Sequence, residues 1–456
     1  AYSEGEIDNI YGIKINNIEL AEFDSDDWSY TVYKGTPTQG IDARCEEGIE
    51  AVGGLRNTAY LAITLKKSDQ FNPEAKPNIS AIVRGRKVRV WDSGTGAFVT
   101  QYSTNPVWCL LDLMTNTRYG AGFPDEQLDL ESFTAAASYC AESVDGGPRF
   151  SLNVCIDWQE PLVDLLDRIR LIFRGYFGYA NGKLSIHVEQ PGEIVQTFTD
   201  ADILPGSLQV DVPTADQVFD RVTAKYIEPG EDYRQMTASA GPGRADGKPA
   251  NTQELELRGC TNFSQTNRLA YFYWAYAYHC RLTGRFKTTI RALNRTPGDV
   301  IALTSEVMGW EDKPVRITAM REAEDHTIEV SWREYNATVY TDTPGGVKPT
   351  PNYSALPNSA APPANVTDLK VKENGWINRD GVFVSQLEVS FVKPDDYFYE
   401  HALIQLSTNG EAFVDKGVSV EDTFIVLNVQ VGNSYRVRVK SVSRSGLRSA
   451  GTTSEI

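Results

Sequence analysis

The sequence predicts a mainly β chain with some α, an α+β architecture of several domains. Three observations carry that expectation. Apolar runs of strand length fill residues 1–105 and return after 196, helical periodicity is confined to short stretches, and a Pro-rich break at 341–364 precedes a last set of alternating strands. The 456 residues, 41% hydrophobic and 23% charged, supply a core large enough for roughly two to four domains.

Residues 1–105 read as a β-rich domain. Ile7, Ile10, Ile13 and Ile15 with Tyr11 mark an entry strand, and Ala59 to Leu65 is an apolar run of buried-strand length. After a Pro/Asn-rich turn, Ile79 to Trp91 gives a strand pair in which Val88 and Val90 alternate with basic residues, as a sheet with one wet face requires.

Residues 106–195 change period. Leu130, Phe133, Ala137, Cys140 and Val144 recur every three or four positions, and Leu162, Leu165, Leu166, Ile169, Ile172 and Phe173 form a second stripe. Asp157 and Glu160 have capping-box spacing, Pro161 suits the first turn, and Gly175 is placed to end the helix. Asn181-Gly182 between Tyr176–Tyr179 and the alternating Leu184, Ile186 and Val188 predicts a type I′ hairpin.

Residues 196–340 read as a second β domain with one helix. Val218, Val222 and Tyr226 sit on expected strands, and the stretch 239–250, rich in Gly and Pro, reads as a loop. Ser264 is placed to cap a helix carrying Leu269, Phe272, Tyr273, Tyr276 and Cys280 on one face, with Gly284 past its end. Pro297-Gly298-Asp299 turns into Val300–Leu303, and Thr327–Trp332 closes the sheet. Residues 341–364, dense in Pro, Ser and Asn, form a linker. Residues 365–456 then carry strands at Val366–Val371, Leu387–Phe391, Ala402–Ser407, Phe424–Leu427 and Tyr435–Val442, spaced as in a small β-sandwich.

Charge and chemistry narrow the function. With 44 basic and 61 acidic residues the net charge is −17, which disfavours a nucleic-acid binder but suits a wall past which DNA slides. No apolar run reaches the roughly 18–20 residues that span a bilayer, and the opening residues lack a signal peptide's pattern. The absent initiator Met leads to the expectation that residue 1 lies inside a longer product. Cysteines 45, 109, 140, 155, 260 and 280 form no CxxC pair and read as reduced, mostly buried thiols. His187, His279, His326 and His401 lack HExxH or HxH spacing, so nothing local proposes a metal site, and no cofactor is expected.

Each remaining feature has a plain reading beside a functional one. Glu22, Asp24, Asp26 and Asp27 read as a solvated loop rather than a calcium site, and Asp164 with Asp167 as a wet helix face. Gly94-Thr95-Gly96 reads as a hairpin tip. The string Arg84, Arg86, Lys87, Arg89 is either a charge-blunted strand edge or a seat for an acidic partner. Asn-x-Ser/Thr triplets at Asn78, Asn262, Asn336, Asn352 and Asn365 carry little meaning without a secretion signal. Tyr271, Phe272, Tyr273, Trp274, Tyr276 and Tyr278 encircle their helix, which points to a subunit or interdomain contact, to ordinary core, or to a sugar-stacking platform. No nucleophile elbow or Cys/His pairing stands out, and the chain reads as non-enzymatic.

Two blocks add a resemblance. Asn105-Pro106-Val107-Trp108-Cys109-Leu110-Leu111-Asp112-Leu113-Met114, followed by Arg118-Tyr119-Gly120-Ala121-Gly122, resembles the NPxW and RYGxG run of the central tail-tip, or host-specificity, J protein family of lambda-like siphophages. Gly259-Cys260-Thr261, the aromatic helix, and Arg295-Thr296-Pro297-Gly298-Asp299-Val300-Ile301 resemble the same family's GCT and PGDVI block. Tyr2–Ile7 and the run Ala59–Leu65 with Pro77-Asn78-Ile79 are similar to its earlier portion, and Tyr435–Val442 with Gly446 and Ser449 is similar to the end of a fibronectin type III module.

The resemblance implies a trimeric hub closing the distal tail tube in the virion after assembly in the host cytoplasm. It implies two tube-like β domains, at 1–105 and 196–340, an outer helix-hairpin domain at 106–195, and a fibronectin type III domain at 365–456 hung on the linker. It further implies tail-tube, tail-tip and tape-measure partners, a channel through which DNA passes unbound, and receptor-contacting regions that have no counterpart before Ile456. The competing reading is a secreted carbohydrate-binding or carbohydrate-active protein with a fibronectin type III module, carried by Trp274 and Trp310 as stacking platforms.

Overall fold

The computed structural model describes residues 1–44, 55–67, 76–157, 159–180, 182–214, 218–243, 250–323, 326–351, 361–377, 379, 381 and 383–455. Cys45, Asn181, Asn352, and the parts of the loop and linker at 244–249 and 352–360 lie outside the described residues. The chain forms two compact units, one of residues 1–86 with 352–456 and one of residues 87–351.

In the first unit, strand Ile7–Ile15 pairs antiparallel with Ile79–Asp92, while Thr58–Leu65 lies between Ser3–Glu4 and Trp28–Lys34. The odd spacing of the entry isoleucines has a local cause. The register slips by one residue between Tyr11 and Lys14, where Gly12 takes a φ of 57°. Ile10 therefore pairs with Val83 and Ile15 with Ile79, which puts both on one face.

The residues after 365 form the expected sandwich, with strands Val414–Ser419 and Thr452–Glu455 added to those read from the sequence. One sheet has the order Thr367–Ile377, Phe383–Val392, Thr423–Val429. The other has the order Val414–Ser419, Tyr399–Thr408, Tyr435–Ser443, Thr452–Glu455. Leu387, Val389, Phe391, Ile404, Val437 and Val439 fill the space between them. Leu447, fully buried just past strand Tyr435–Ser443, packs among Ile13, Ile15, Ile18, Leu20 and Phe23. The sandwich thus shares a core with the N-terminal strands, a contact that no local pattern announces.

The second unit holds two large cores and a smaller cluster around Phe272 and Tyr340. In the first, helices α1 (Pro106–Thr115), α2 (Leu130–Ala141) and α3 (Leu162–Ile172) and the hairpin Gly175–Ala180/Lys183–Val188 pack with a three-stranded sheet and with α4 (Phe263–His279). That sheet has Arg221–Glu228 between Arg234–Ala240 and Thr252–Glu256. Leu110, Phe133, Phe173, Ile186, Tyr226 and Leu269 are buried together. The second core is a six-stranded sheet of order Ile194–Thr199, Val300–Ser305, Trp310–Glu322, Ile328–Glu334, Thr283–Thr288, Gln209–Asp211, covering Phe198, Phe286, Ile317 and Trp332. The cores therefore group the chain differently from a break at 195/196: residues 221–279 pack with the helix-hairpin segment.

Several helix ends differ from expectation. Asn262, not Ser264, caps α4, its side chain accepting from the amides of Ser264 and Gln265. Asn336 caps the short turn Ala337–Tyr340 in the same way, so two of the Asn-x-Ser/Thr triplets are N-caps. No side chain caps α3; Glu160 instead pairs with Arg168 at 3.2 Å. After α3 it is Arg174, with φ 56°, that takes the left-handed position expected of Gly175. Residues 341–351 belong to the second unit, held by bonds described below.

An ion pair between the buried Asp42 and the exposed Arg44 in the first unit gives a pH prediction. Asp42 accepts from Arg44 Nε at 2.6 Å, and this bond holds its pKa at about 2, below the ordinary 3.8. A carboxyl lowered on folding stabilises the fold above its unfolded pKa, and that contribution is lost as pH falls from about 4 toward 2. Acid titration of the Asp42→Asn variant is expected to show a shallower loss of stability across that window than the wild-type chain.

Candidate functional site

The residues that carry the resemblance are folding locks. Asn105 caps α1, its side-chain oxygen accepting from the Val107 amide at 3.1 Å while its Nδ2 donates to the Ala137 carbonyl at 2.8 Å. Pro106 fills the first helical position, and Trp108 packs half-buried on the core. At the other end Tyr119 donates its hydroxyl to the buried Asp112 carboxylate, while the Arg118 amide donates to Asn116 and leaves its side chain exposed. The Ala121, Gly122 and Phe123 amides return to the carbonyls of Leu113, Asn116 and Met114. A Cβ on Gly120 would lie 1.9 Å from the Leu113 carbonyl oxygen, so this close return of the chain requires glycine.

Gly259-Cys260-Thr261 ties α4 to residues 151–153. The Asn153 amide donates to the Gly259 carbonyl at 2.9 Å, and Asn153 Nδ2 to Thr261 Oγ1 at 2.8 Å. The buried amide of Gln265 both accepts from the Ser151 amide and donates to the Ser151 carbonyl, each at 3.0 Å. Its Nε2 also reaches Cys260 Sγ at 3.4 Å, and burial pushes that thiol up to about 12. No described cysteine is in a disulfide; Cys140, Cys260 and Cys280 are buried, Cys109 half-buried and Cys155 exposed.

The third lock is Pro297-Gly298-Asp299. The Gly298 amide donates to the Ile317 carbonyl at 2.8 Å and the Ile317 amide to the Asp299 carbonyl at 2.9 Å. The Asp299 carboxylate accepts from the Thr296 amide at 3.0 Å. Gly298 has φ 102°, and its Cβ would sit 2.0 Å from the Tyr176 hydroxyl. Gly298→Ala is expected to cost about 2–4 kcal/mol through clash and backbone strain together. Adding Tyr176→Phe is expected to recover the clash part only, a partial rescue measurable by urea unfolding.

The six aromatics of α4 are mostly consumed within the chain. Phe272 is 3% exposed in a cluster with Ala275, Cys280, Val339 and Tyr340, and Tyr271, Tyr273, Trp274 and Tyr276 pack half-buried around it. Tyr278, 43% exposed, is the most open of the six, although Trp274 and Arg281 lie against its ring. Trp274 stacks on Tyr278 with its Nε1 buried, and Trp310 packs edge-on against the buried Trp332, so neither forms an open platform.

Sequence reasoning missed a cluster of buried arginines bound by a strap. After strand Ile328–Glu334 the chain returns over the first core. Tyr335 donates to the Gly192 carbonyl at 3.0 Å, Tyr340 to Glu189 Oε1 at 2.9 Å, Asp342 accepts from Arg149, and the Gly345 carbonyl accepts from Asn267. Lys348 completes the strap with an ion pair to Glu228 at 2.9 Å. Beneath it the guanidinium of Arg174 lies 5.0 Å from the Phe272 ring centre and 5.6 Å from that of Tyr340, and Arg316 lies 5.4 Å from Tyr340 on its own side. Burial raises the Tyr340 hydroxyl well above its ordinary 10.0. The one available signal was the pair of tyrosines, Tyr335 and Tyr340, just before the Pro-rich segment.

The other candidates resolve into local structure. Arg84 pairs with Asp8 at 3.1 Å, Arg86 donates to the Glu4 carbonyl at 2.7 Å, and Arg89 pairs with Asp125 at 2.8 Å, so these basic side chains are partnered within the chain. Asp24 caps the turn Ser25–Asp27, and Asp167 pairs with Arg170. Among the described residues no three His, Cys, Asp or Glu side chains converge, and no helix is long and apolar enough to cross a membrane.

Residues 163–320, which include two of the three locks, match the family described as "Putative phage tail protein". The chain is 29% identical over 226 residues to tip attachment protein J of Escherichia phage SECphi27, covering 47% of this chain and 18% of that protein. It is a relative of the phage tail-tip and hub proteins. A second relative, baseplate hub protein pb3 of Escherichia phage T5, is 24% identical over 314 residues, 63% of this chain and 33% of its own length. This tail-tip relative thus spans about a fifth to a third of the length of these curated proteins. Its fold is shared with a chain from the virion of a native gene transfer agent particle, with a TM-score of 0.53, 18% identity, and coverage of 76% of this chain and 79% of that one.

Proposed function

We propose that this chain is the structural hub of a phage or prophage-derived tail tip. On this reading it closes the distal tail tube as a homotrimer and serves host attachment and genome delivery. The observation that carries the reading is the match of residues 163–320 to a phage tail family together with the similarity to tail-tip and hub proteins, with the chain's motif residues acting as fixed locks. A hub needs rigid domains rather than a catalytic cleft, and the glycine clamps at 120, 259 and 298 supply rigidity.

Its place is the virion tail, reached after assembly in the host cytoplasm, beside tail-tube, tail-tip and tape-measure proteins. The tube-like ring domains are formed by the N-terminal strands and by the six-stranded sheet, and residues 365–456 form a fibronectin type III module. The strand order of the sandwich supports that last assignment. A net charge of −17 suits a channel that releases DNA. If α4 takes part in a subunit contact, the contact falls on the Tyr278 side, because Phe272 is already buried.

Immunogold labelling of purified particles with an antibody to this chain tests the proposal. Label at the distal end of the tail is expected; label on the capsid, or protein found only free of particles, overturns it.

A further inference from the structure

A pocket of about 270 Å³ lies in the second unit, between the C-terminal end of α4 and the edge strand Gln209–Asp211. Arg281 and Arg333 both line it. Each guanidinium is fixed from behind. Arg281 Nε donates to the Tyr278 carbonyl at 2.8 Å, and its plane lies 4.5 Å from the Tyr278 ring centre. Arg333 Nε donates to the Cys280 carbonyl at 2.9 Å, 4.3 Å from the Tyr276 ring. Capping the helix end accounts for these Nε bonds. It leaves the terminal nitrogens of both arginines without a hydrogen-bond or ion-pair partner among the described residues. Asp211 lines the same pocket and is not paired with either.

We infer that this pocket receives the carboxylate of an acidic side chain presented by a protein partner. Two held guanidiniums with free forks match a planar carboxylate in paired, charge-assisted bonds. The volume is below the roughly 300–1,000 Å³ of sites that enclose whole small ligands, and is of side-chain size. The neighbouring strand is a sheet edge, with Val212 71% exposed beside it, and an edge accepts an extended peptide. A polyphosphate backbone would instead meet Asp211 and a chain of net charge −17. The inference rests on this pocket alone and not on the tail-tip reading.

The test is a titration of the full chain, labelled with ¹⁵N-arginine, with glutarate and separately with inorganic phosphate at low salt. Glutarate is expected to move the Nε–H signals of Arg281 and Arg333 and to bind more tightly than phosphate. Arg281→Gln or Arg333→Gln should weaken glutarate binding at least about tenfold. Arg285→Gln, outside the pocket, should leave it unchanged, and Asp211→Asn should tighten it. Unmoved signals in the wild-type chain overturn the inference, as does tighter binding of phosphate. Glutarate binding seen only in Asp211→Asn also overturns it, because Asp211 would then be the pocket's own counter-ion.

Discussion

Gly120→Ala is expected to lower the stability of the second unit by about 3–5 kcal/mol. The new methyl would stand 1.9 Å from the Leu113 carbonyl oxygen, which already accepts from the Ala121 amide at 3.0 Å. Neither group is a flexible side-chain end, so the segment after α1 has to move. Moving it breaks the returns of Ala121, Gly122 and Phe123, each contributing about 1 kcal/mol net. The buried Asp112 carboxylate also loses the Tyr119 hydroxyl. Gly122→Ala is the control. Its φ is 67°, but the nearest atom to its Cβ is 3.7 Å away, so only the left-handed strain of about 1–2 kcal/mol applies. Urea unfolding of the two variants should separate clash from strain.

Tyr340→Ala is expected to cost a similar amount, about 3–5 kcal/mol, from the opposite end of the unit's sequence. Its ring is 5% exposed and lies among Phe272, Tyr335 and the Arg174 and Arg316 guanidiniums. Truncation opens a cavity and strips two buried cations of an aromatic face. Tyr340→Phe keeps the ring and removes only the bond to Glu189 at 2.9 Å, so it should cost about 1–3 kcal/mol. Limited proteolysis gives a second readout. Tyr340→Ala should expose cleavage sites within residues 341–351, whereas Tyr340→Phe should largely protect them. Equal stability of Tyr340→Ala and wild type would refute the strap as a clamp.

Much of the fold was legible where the pattern is local. The stripe Leu165, Ile169, Ile172 predicted α3, and the alternation through Leu184, Ile186 and Val188 predicted the hairpin strand, because each depends on one element facing one core. Grouping was not legible. Residues 221–279 follow 196 in sequence yet share a core with α1–α3, and Leu447 reaches the N-terminal isoleucines. Such contacts depend on chain return, which periodicity does not encode. The motif glycines were visible as motifs, but their reasons were not: only the folded chain brings the Leu113 carbonyl against Gly120 or the Tyr176 hydroxyl against Gly298. The sequence left the aromatic circumference of α4 open between a subunit or interdomain contact, ordinary core and a sugar platform, because Val339 and Tyr340, which cover Phe272, lie beyond the six-stranded sheet in sequence. The arginines that stack on those rings were hidden for the same reason.

Light scattering across a concentration series of the purified chain tests the hub most directly. The account predicts a mass three times that of the 50.6 kDa chain, reached cooperatively as concentration rises. A single-chain mass at every concentration would contradict a hub that closes the tube through its own subunit contacts.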